Sequence, residues 1–168
     1  MELCMSEFYT EYATLADIPF LMAEFEDGAR RGHFSREFLS SKSNKVFEKQ
    51  IREAIRTNQE GKYSGHFIYI VMRDSDDTRA GIIWLCAALD PSGAPCLELR
   101  AVSIIRELQG KGYGSKVVTE MLESNPSHAI MAKCYHKSTR MADMLKRRGF
   151  RLIDTSPSGT QLLYRDPQ

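Results

Sequence analysis

Apolar residues recur along this chain with two different periods, and the period changes where the elements change. Phe8 to Ala13 alternates weakly between apolar and polar, the spacing of a half-buried strand. Ile18, Leu21, Met22 and Phe25 then fall at i, i+3, i+4 and i+7, which gives one apolar stripe on a helix opened by Asp17 as cap and Pro19 in the first turn. Gly28 and Gly32 interrupt that stripe, so Asp27 to Ser35 reads as a helix end and loop. A second helix is predicted from Ser43 to Thr57, with Phe47, Ile51, Ala54 and Ile55 inward and Lys45, Lys49, Arg52 and Arg56 outward. Its charges read as a solvated face supported by i,i+4 pairs, Glu48 with Arg52 and Lys49 with Glu53.

After Gly61 and Gly65 the period falls to two. His66 to Arg73 is rich in β-branched and aromatic residues and reads as a strand ending at the Asp74-Ser75-Asp76-Asp77 turn. Ala80 to Leu89 is the next strand, Asp90-Pro91-Ser92-Gly93 a turn, and Cys96 to Ile105 a nearly continuous apolar run that suits a central strand. An amphipathic stretch near Val117 to Leu122, a strand near Ala129 to Tyr135 and a helix near Ser138 to Phe150 follow. Arg151 to Thr155 and Gln161 to Arg165 close the chain as a hairpin. The order β, α, α, β, β, β, α, β, α, β, β gives a mixed α/β (α+β) fold with helices on both faces of the sheet.

Composition narrows the class. At 168 residues the chain is expected to be a single domain over 1–168, and 42% hydrophobic with 27% charged residues is a globular balance. A net charge of +1 argues against a broad nucleic-acid footprint. There is no apolar run long enough for a membrane span and no basic, apolar leader at the start, so a cytoplasmic protein with no membrane partner is expected. Cys4, Cys86, Cys96 and Cys134 lack metal-ligand spacing and read as buried reduced thiols; no metal site is expected.

The chemistry is concentrated in Gln109-Gly110-Lys111-Gly112-Tyr113-Gly114-Ser115, a glycine-dense turn that runs into a helix. The first amides of a helix have no intrahelical partners, and the macrodipole adds about half a positive charge there. Such an end captures phosphate oxygens, and glycines let the backbone approach a bulky anion closely. Lys111 and Lys116 add charge. An ordinary strand-to-helix connection does not call for three glycines. The dinucleotide fingerprint needs G-x-G-x-x-G with a later carboxylate, and the P-loop needs G-x-x-x-x-G-K-[S/T]; neither spacing is met, so neither NAD nor a nucleoside triphosphate is favoured.

The turn resembles the [Q/R]-x-x-G-x-[G/A] signature of the GNAT superfamily of acetyl-CoA-dependent N-acetyltransferases. Leu97 to Ile105 looks like that family's fourth strand, Gly112 to Ser124 its third helix, Ala129 to Tyr135 its fifth strand and Ser138 to Phe150 its fourth helix with a closing Gly149-Phe150. The resemblance covers Ile82 to Tyr164, and more weakly the N-terminal third. It implies a mostly antiparallel sheet splayed between strands 4 and 5 to admit a pantetheine arm. It further implies acetyl-CoA as acetyl donor, with backbone groups of Val102, Ser103 and Ile104 on the acetyl and pantetheine amides. Gln109 to Ser115 would hold the pyrophosphate, and Ser138 opens the fourth helix at another cofactor position.

Acyl transfer to an amine requires a neutral nucleophile, and freeing an alkyl amine of pKa about 10.4 costs about 4.6 kcal/mol at pH 7. Glu98, in an otherwise apolar strand, is the candidate base; strict alternation puts it on the face of Arg100, Val102 and Ile104, where Arg100 could instead hold it in an ion pair. Many family members carry a Tyr general acid where this chain has Leu145, and an Asn where it has Ser138. Tyr135 and His136 are the possible substitutes; solvent could also protonate a thiolate. His33 and Trp84, with Tyr63 and His66, are candidates for the acceptor pocket. The acceptor is a small-molecule amine, a protein amine or an aminoacyl-tRNA, the first favoured. A homodimer is compatible with the sequence. The other reading is a non-catalytic acyl-CoA-binding sensor or interaction module.

Overall fold

The computed structural model describes residues 7–168; Cys4 and the rest of 1–6 lie outside the described residues. One sheet carries two apolar layers because successive side chains of each strand point to opposite faces. Its strands are β1 (Phe8–Tyr12), β2 (His66–Arg73), β3 (Thr78–Leu89), β4 (Pro95–Ile104), β5 (Ile130–Cys134), β6 (Arg151–Thr155) and β7 (Gln161–Arg165), in the order β1-β2-β3-β4-β5-β7-β6. Helices α1 (Ile18–Arg30) and α2 (Ser41–Gln59) cover one face, meeting Ile68, Ile70, Ile82, Trp84 and Ala101. Helices α3 (Tyr113–Glu123) and α4 (Thr139–Lys146) cover the other, where Tyr69, Val71, Ile83, Leu85, Leu99 and Leu163 are buried with Val117, Met121 and Leu145. The element order is the one that the hydrophobic periods predict. Every neighbouring pair of strands is antiparallel except β4–β5.

That parallel pair is short. β4 and β5 are in register only from Leu97↔Ile130 to Leu99↔Ala132, after which both strands continue without pairing and the sheet opens. On its other side β4 stays bonded to β3, and the Ile105 N–H to Ala80 C=O bond of 2.9 Å fixes which residues face which way. Alternation of paired and unpaired positions then gives Ala101 and Ser103 their backbone bonds to β3, while Val102 and Ile104 turn N–H and C=O toward the opening.

The register also corrects the strict alternation expected for β4. Trp84 pairs with Ala101 but Leu85 pairs with Leu99, so Arg100 is an extra residue in a β-bulge. One extra residue reverses the facing of everything beyond it. Leu97, Leu99, Val102 and Ile104 all pack in the α3/α4 layer, and Glu98 falls on the opposite face, level with Cys86 of β3.

Three local readings change as well. α1 runs through Gly28 to Arg30, because the missing side chain leaves room for the Phe34 ring; a Cβ there would lie 2.3 Å from it. Asp17 stands at the cap position, but its carboxylate accepts from Thr14 (N 2.7 Å, Oγ1 2.9 Å) and from Arg79 Nε at 2.8 Å, not from the helix amides. A 3₁₀ turn at Arg36–Leu39, between the expected loop and the second helix, buries Phe38 against Phe25 and Phe47.

Gly81 of β3 faces the backbone of β4 at the edge of the opening, and a Cβ would come within 2.2 Å of the Ser103 carbonyl oxygen. That oxygen belongs to backbone and cannot swing aside. Gly81→Ala should therefore destabilise the fold by about 1–3 kcal/mol, read as a lower midpoint in urea with an unchanged slope.

Candidate active site

The opening between β4 and β5 continues into a cleft of about 640 Å³, of the size that holds small ligands. Leu99 to Ile104 form one wall and Ala132 to Tyr135 the other; the start of α3, the start of α4 and the Arg31 to Phe34 segment after α1 close it. Its polar lining is mostly backbone at one end and cationic or hydroxyl side chains at the other.

At the backbone end, Gly110 and Gly112 take left-handed conformations, φ 78° and φ 82°, and Gly112 is the N-cap of α3. The chain turns there without a side chain to satisfy the helix start. Among the described residues nothing accepts a hydrogen bond from the N–H groups of Gly110, Lys111, Gly112, Tyr113, Gly114 or Ser115; the first amide with a partner is that of Lys116, bonded to Gly112 C=O at 3.2 Å. Half-exposed or exposed amides of this kind, at the positive end of a helix, are an anion site awaiting an acceptor.

Side chains hold this turn in shape. Gln109 donates from Nε2 to the Ile104 carbonyl at 2.6 Å, tying the turn to the end of β4, and its Oε1 accepts from Arg31 Nη1 at 3.1 Å. Arg31 pairs with Asp27 at 2.9 Å, and Asp27 also accepts from Arg106. The hydrogen bond from Arg106, then the charge of Arg31, hold the Asp27 carboxyl below the usual carboxylate range against the burial that opposes them. Behind α3, Arg148 bonds through Nη2 to Ser115 Oγ and through Nε to Thr119 Oγ1 at 2.8 Å, while Nη1 reaches the Met144 carbonyl at 3.1 Å. The hydroxyl of Ser115 is thus engaged while its amide is left without a partner. The Arg148 guanidinium adds positive charge under the amides, and Lys111 and Lys116 are exposed beside them. No short-range pattern marks Arg148, because its partners lie a whole strand and helix away; Arg31 likewise joins the site only through the fold.

At the other end, Ser138 is buried at the N-cap of α4, and its hydroxyl lies 3.0 Å from His33 Nδ1. This bond spans the mouth of the cleft, from the segment after α1 to the start of α4. Burial first, then the charges of Arg31 and Lys137, push the His33 imidazole below its ordinary pKa, with Asp27 pulling the other way. Tyr135 lines the cleft and is half-buried, Leu145 is fully buried at its floor, and Cys134 is a buried thiol whose pKa burial raises to about 11.

Four predicted site residues are not part of this lining: Lys111 and Ser115 of the glycine turn, and Glu98 and Trp84. Glu98 is half-buried on the α1/α2 face, where its Oε2 accepts from Cys86 Sγ at 3.7 Å. Trp84 is buried on the same face against Phe25, with the Arg100 guanidinium 4.9 Å from its ring and its Nε1 3.3 Å from His66 Nδ1. Glu98, His66, Trp84 and Arg100 thus form a cluster across the sheet from α3 and α4, at the bulge where β4 and β5 part. Tyr63 and His136 are exposed, and neither lines the cleft. Among the described residues no group of His, Cys, Asp and Glu side chains could hold a metal, Cys86, Cys96 and Cys134 are unpaired and buried, and no helix is long and apolar enough to cross a membrane.

Comparison with known proteins gives this geometry a family. The profile of the acetyltransferase (GNAT) family matches residues 21–150. No curated protein sequence matches significantly. Among solved structures, the chain is similar to the PaiA N-acetyltransferase of Thermoplasma acidophilum in complex with coenzyme A, at 15% identity and TM-score 0.70, covering 95% of this chain and 98% of that one. It is similar to RimL, a ribosomal alpha-N-protein acetyltransferase in complex with coenzyme A, at 12% identity and TM-score 0.71, covering 99% and 98%. A chimera of the spermidine N-acetyltransferase SpeG from Vibrio cholerae aligns at 13% identity and TM-score 0.68, covering 95% of each chain. With the family profile spanning most of its length, over the split sheet and the glycine turn alike, the chain belongs to the acetyltransferase (GNAT) family.

Proposed function

We propose that the protein, as one N-acetyltransferase domain over 1–168, moves an acetyl group from acetyl-CoA to a primary amine by direct attack within a ternary complex. The observation that carries this reading is the run of unpartnered amides from Gly110 to Ser115, of which Gly110, Gly112, Tyr113 and Gly114 line a cleft that opens where β4 leaves β5. Acetyl-CoA supplies a thioester whose carbonyl is open to nucleophiles. The amides of Gly110 to Ser115 take the diphosphate, with Lys111, Lys116 and Arg148 as balancing charge and Gln109 holding the turn. Val102 and Ile104, with backbone groups turned to the opening, bind the pantetheine amides and the acetyl carbonyl, while Ser103 fixes that stretch through its bond to Glu24 at 2.7 Å.

The amine enters from the α1/α2 face. Glu98 accepts its proton through water, and Trp84 and His33 shape the acceptor's approach from the two sides of the split. Tyr135 and Ser138 stand on the α4 side, where the thiol departs. Solved relatives are named for both a protein N-terminus and a polyamine as acceptor; with a net charge of +1, a small amine is favoured over RNA. Three buried, unpaired cysteines fit a reducing, cytoplasmic setting.

Thiol release from acetyl-CoA, measured against a panel of primary amines that includes polyamines and peptides, tests the activity. Turnover with at least one amine is expected. Coenzyme binding without turnover on any amine would instead identify a non-catalytic sensor, a reading that the buried Leu145 in the cleft floor favours by leaving no phenol there.

Glu98→Gln should lower kcat/KM by about 10²-fold while leaving coenzyme affinity unchanged, and an unaltered pH–rate profile would remove Glu98 from the mechanism. Gly112→Ala should weaken coenzyme A about tenfold by calorimetry. Nothing lies within 4 Å of a Cβ at that position, so the effect isolates the cost of about 1–2 kcal/mol for an L-residue in the left-handed region.

A further inference from the structure

Resting on the acetyl-transfer reading, we infer that Ser138 delivers the proton to the departing sulfur and that His33 connects Ser138 to solvent. The cleft offers few groups able to do this. Cys134 is buried and its thiol is pushed up to about 11. Arg31 is held by Asp27 and Gln109, and Leu145 has no proton to give. Lys133, Lys137 and Arg140 are exposed cations at the rim, positioned for an anionic ligand and not for a buried sulfur. Of the other hydroxyls in the lining, Ser103 is engaged by Glu24, Tyr113 packs against Phe8 at the start of α3 and Thr139 is exposed; Tyr135 is the strongest competitor, and it is not fixed by any side-chain hydrogen bond among the described residues.

Ser138 is different on three counts. It is buried inside the cleft, it sits at the N-cap where the α4 amides favour an oxyanion, and its hydroxyl is already coupled to an imidazole at 3.0 Å. The His33 backbone N–H is bonded to the Gly28 carbonyl at 2.8 Å, so the ring is carried on the end of α1. Gly32 next to it packs against the Lys137 side chain, which keeps the two segments together; a Cβ on Gly32 would lie 2.6 Å from Lys137 Cδ.

The proton count closes as follows. The amine nitrogen forms its bond to the acetyl carbon and loses a proton toward Glu98 and water, and the carbon–sulfur bond breaks. Ser138 gives its hydroxyl proton to the sulfur, Nδ1 of His33 gives its proton to Ser138 Oγ, and Nε2 of His33 takes one from water at the mouth. The groups that face His33 are Arg31 and Asp27 from α1 and its end, and Lys137 and Ser138 from the start of α4. Arg31 and Lys137 disfavour an imidazolium, so the ring passes the proton as a neutral imidazole that gives up its Nδ1–H as Nε2 takes a proton from water.

Free coenzyme A and desulfo-coenzyme A are the probes. In the wild type, the ultraviolet absorbance of the bound thiolate should titrate at a pH at least about one unit below that in Ser138→Ala, since a donor to sulfur favours the thiolate about tenfold. The His33 Nδ1 resonance should move with coenzyme A and not with the desulfo compound, and Ser138→Ala should abolish that difference. With hydroxylamine as acceptor, Ser138→Ala should cut kcat about 10²-fold and His33→Gln about tenfold, with coenzyme affinity within threefold of wild type. Equal thiol midpoints in wild type and Ser138→Ala, or the same His33 response to both probes, would overturn the inference. So would a Tyr135→Phe variant that alone loses the downward shift. Failure of the wild type to bind coenzyme A would strike instead at the acetyl-transfer reading.

Discussion

Backbone groups without partners organise this molecule. A folded chain hydrogen-bonds nearly all of its N–H and C=O groups, and among the described residues two sets break the rule at adjoining places: the β5-facing edge of β4 beyond Leu99, save the Ile104 carbonyl that Gln109 reaches, and the amides that open α3. Both breaks come from topology. A parallel pair of only three registered residues cannot keep β4 and β5 together, and a turn built on left-handed Gly110 and Gly112 leaves α3 uncapped by any side chain. A ligand with a diphosphate at one end and amides along its arm would satisfy both sets together, and the split sheet and the glycine turn line one cleft.

Keeping such groups exposed requires a stiff surround. Gln109, Arg31, Asp27 and Arg106 lash the turn to β4 and α1, and Arg148 lashes α3 to α4. Apart from the Arg31–Asp27 pair along α1, these links join different elements around the cleft. Ion pairs of this exposure contribute little to global stability, and their effect lies in fixing geometry. The same arrangement concentrates positive charge behind and beside the free amides, where an anionic ligand is stabilised before any specific contact forms.

Much of this was legible in the residues. Period-two and helical stripes located most of the strands and the first two helices, the family resemblance placed α4 and bounded α3 and β5, and the glycine run marked the turn before α3 as the candidate anion site. What escaped the sequence is what depends on long-range register. The Arg100 bulge reverses the facing of Glu98 relative to Val102 and Ile104, and nothing in the run from Cys96 to Ile105 announces an extra residue. Gly28 looked like a helix end, but it is a close-packing position for Phe34. His33 and Ser138 stood out singly; that they share a hydrogen bond across the cleft follows only from the approach of α1 to α4. Arg148 carries no local signal at all, since its partners on α3 are brought to it by β5.

Residue-resolved hydrogen exchange of the backbone amides, with and without coenzyme A, is the most direct test of the central idea. The amides from Gly110 to Ser115 should exchange rapidly in the free protein and become protected on binding by at least about 10²-fold. Amides of that turn already protected without ligand, or left unchanged at saturation, would contradict the account.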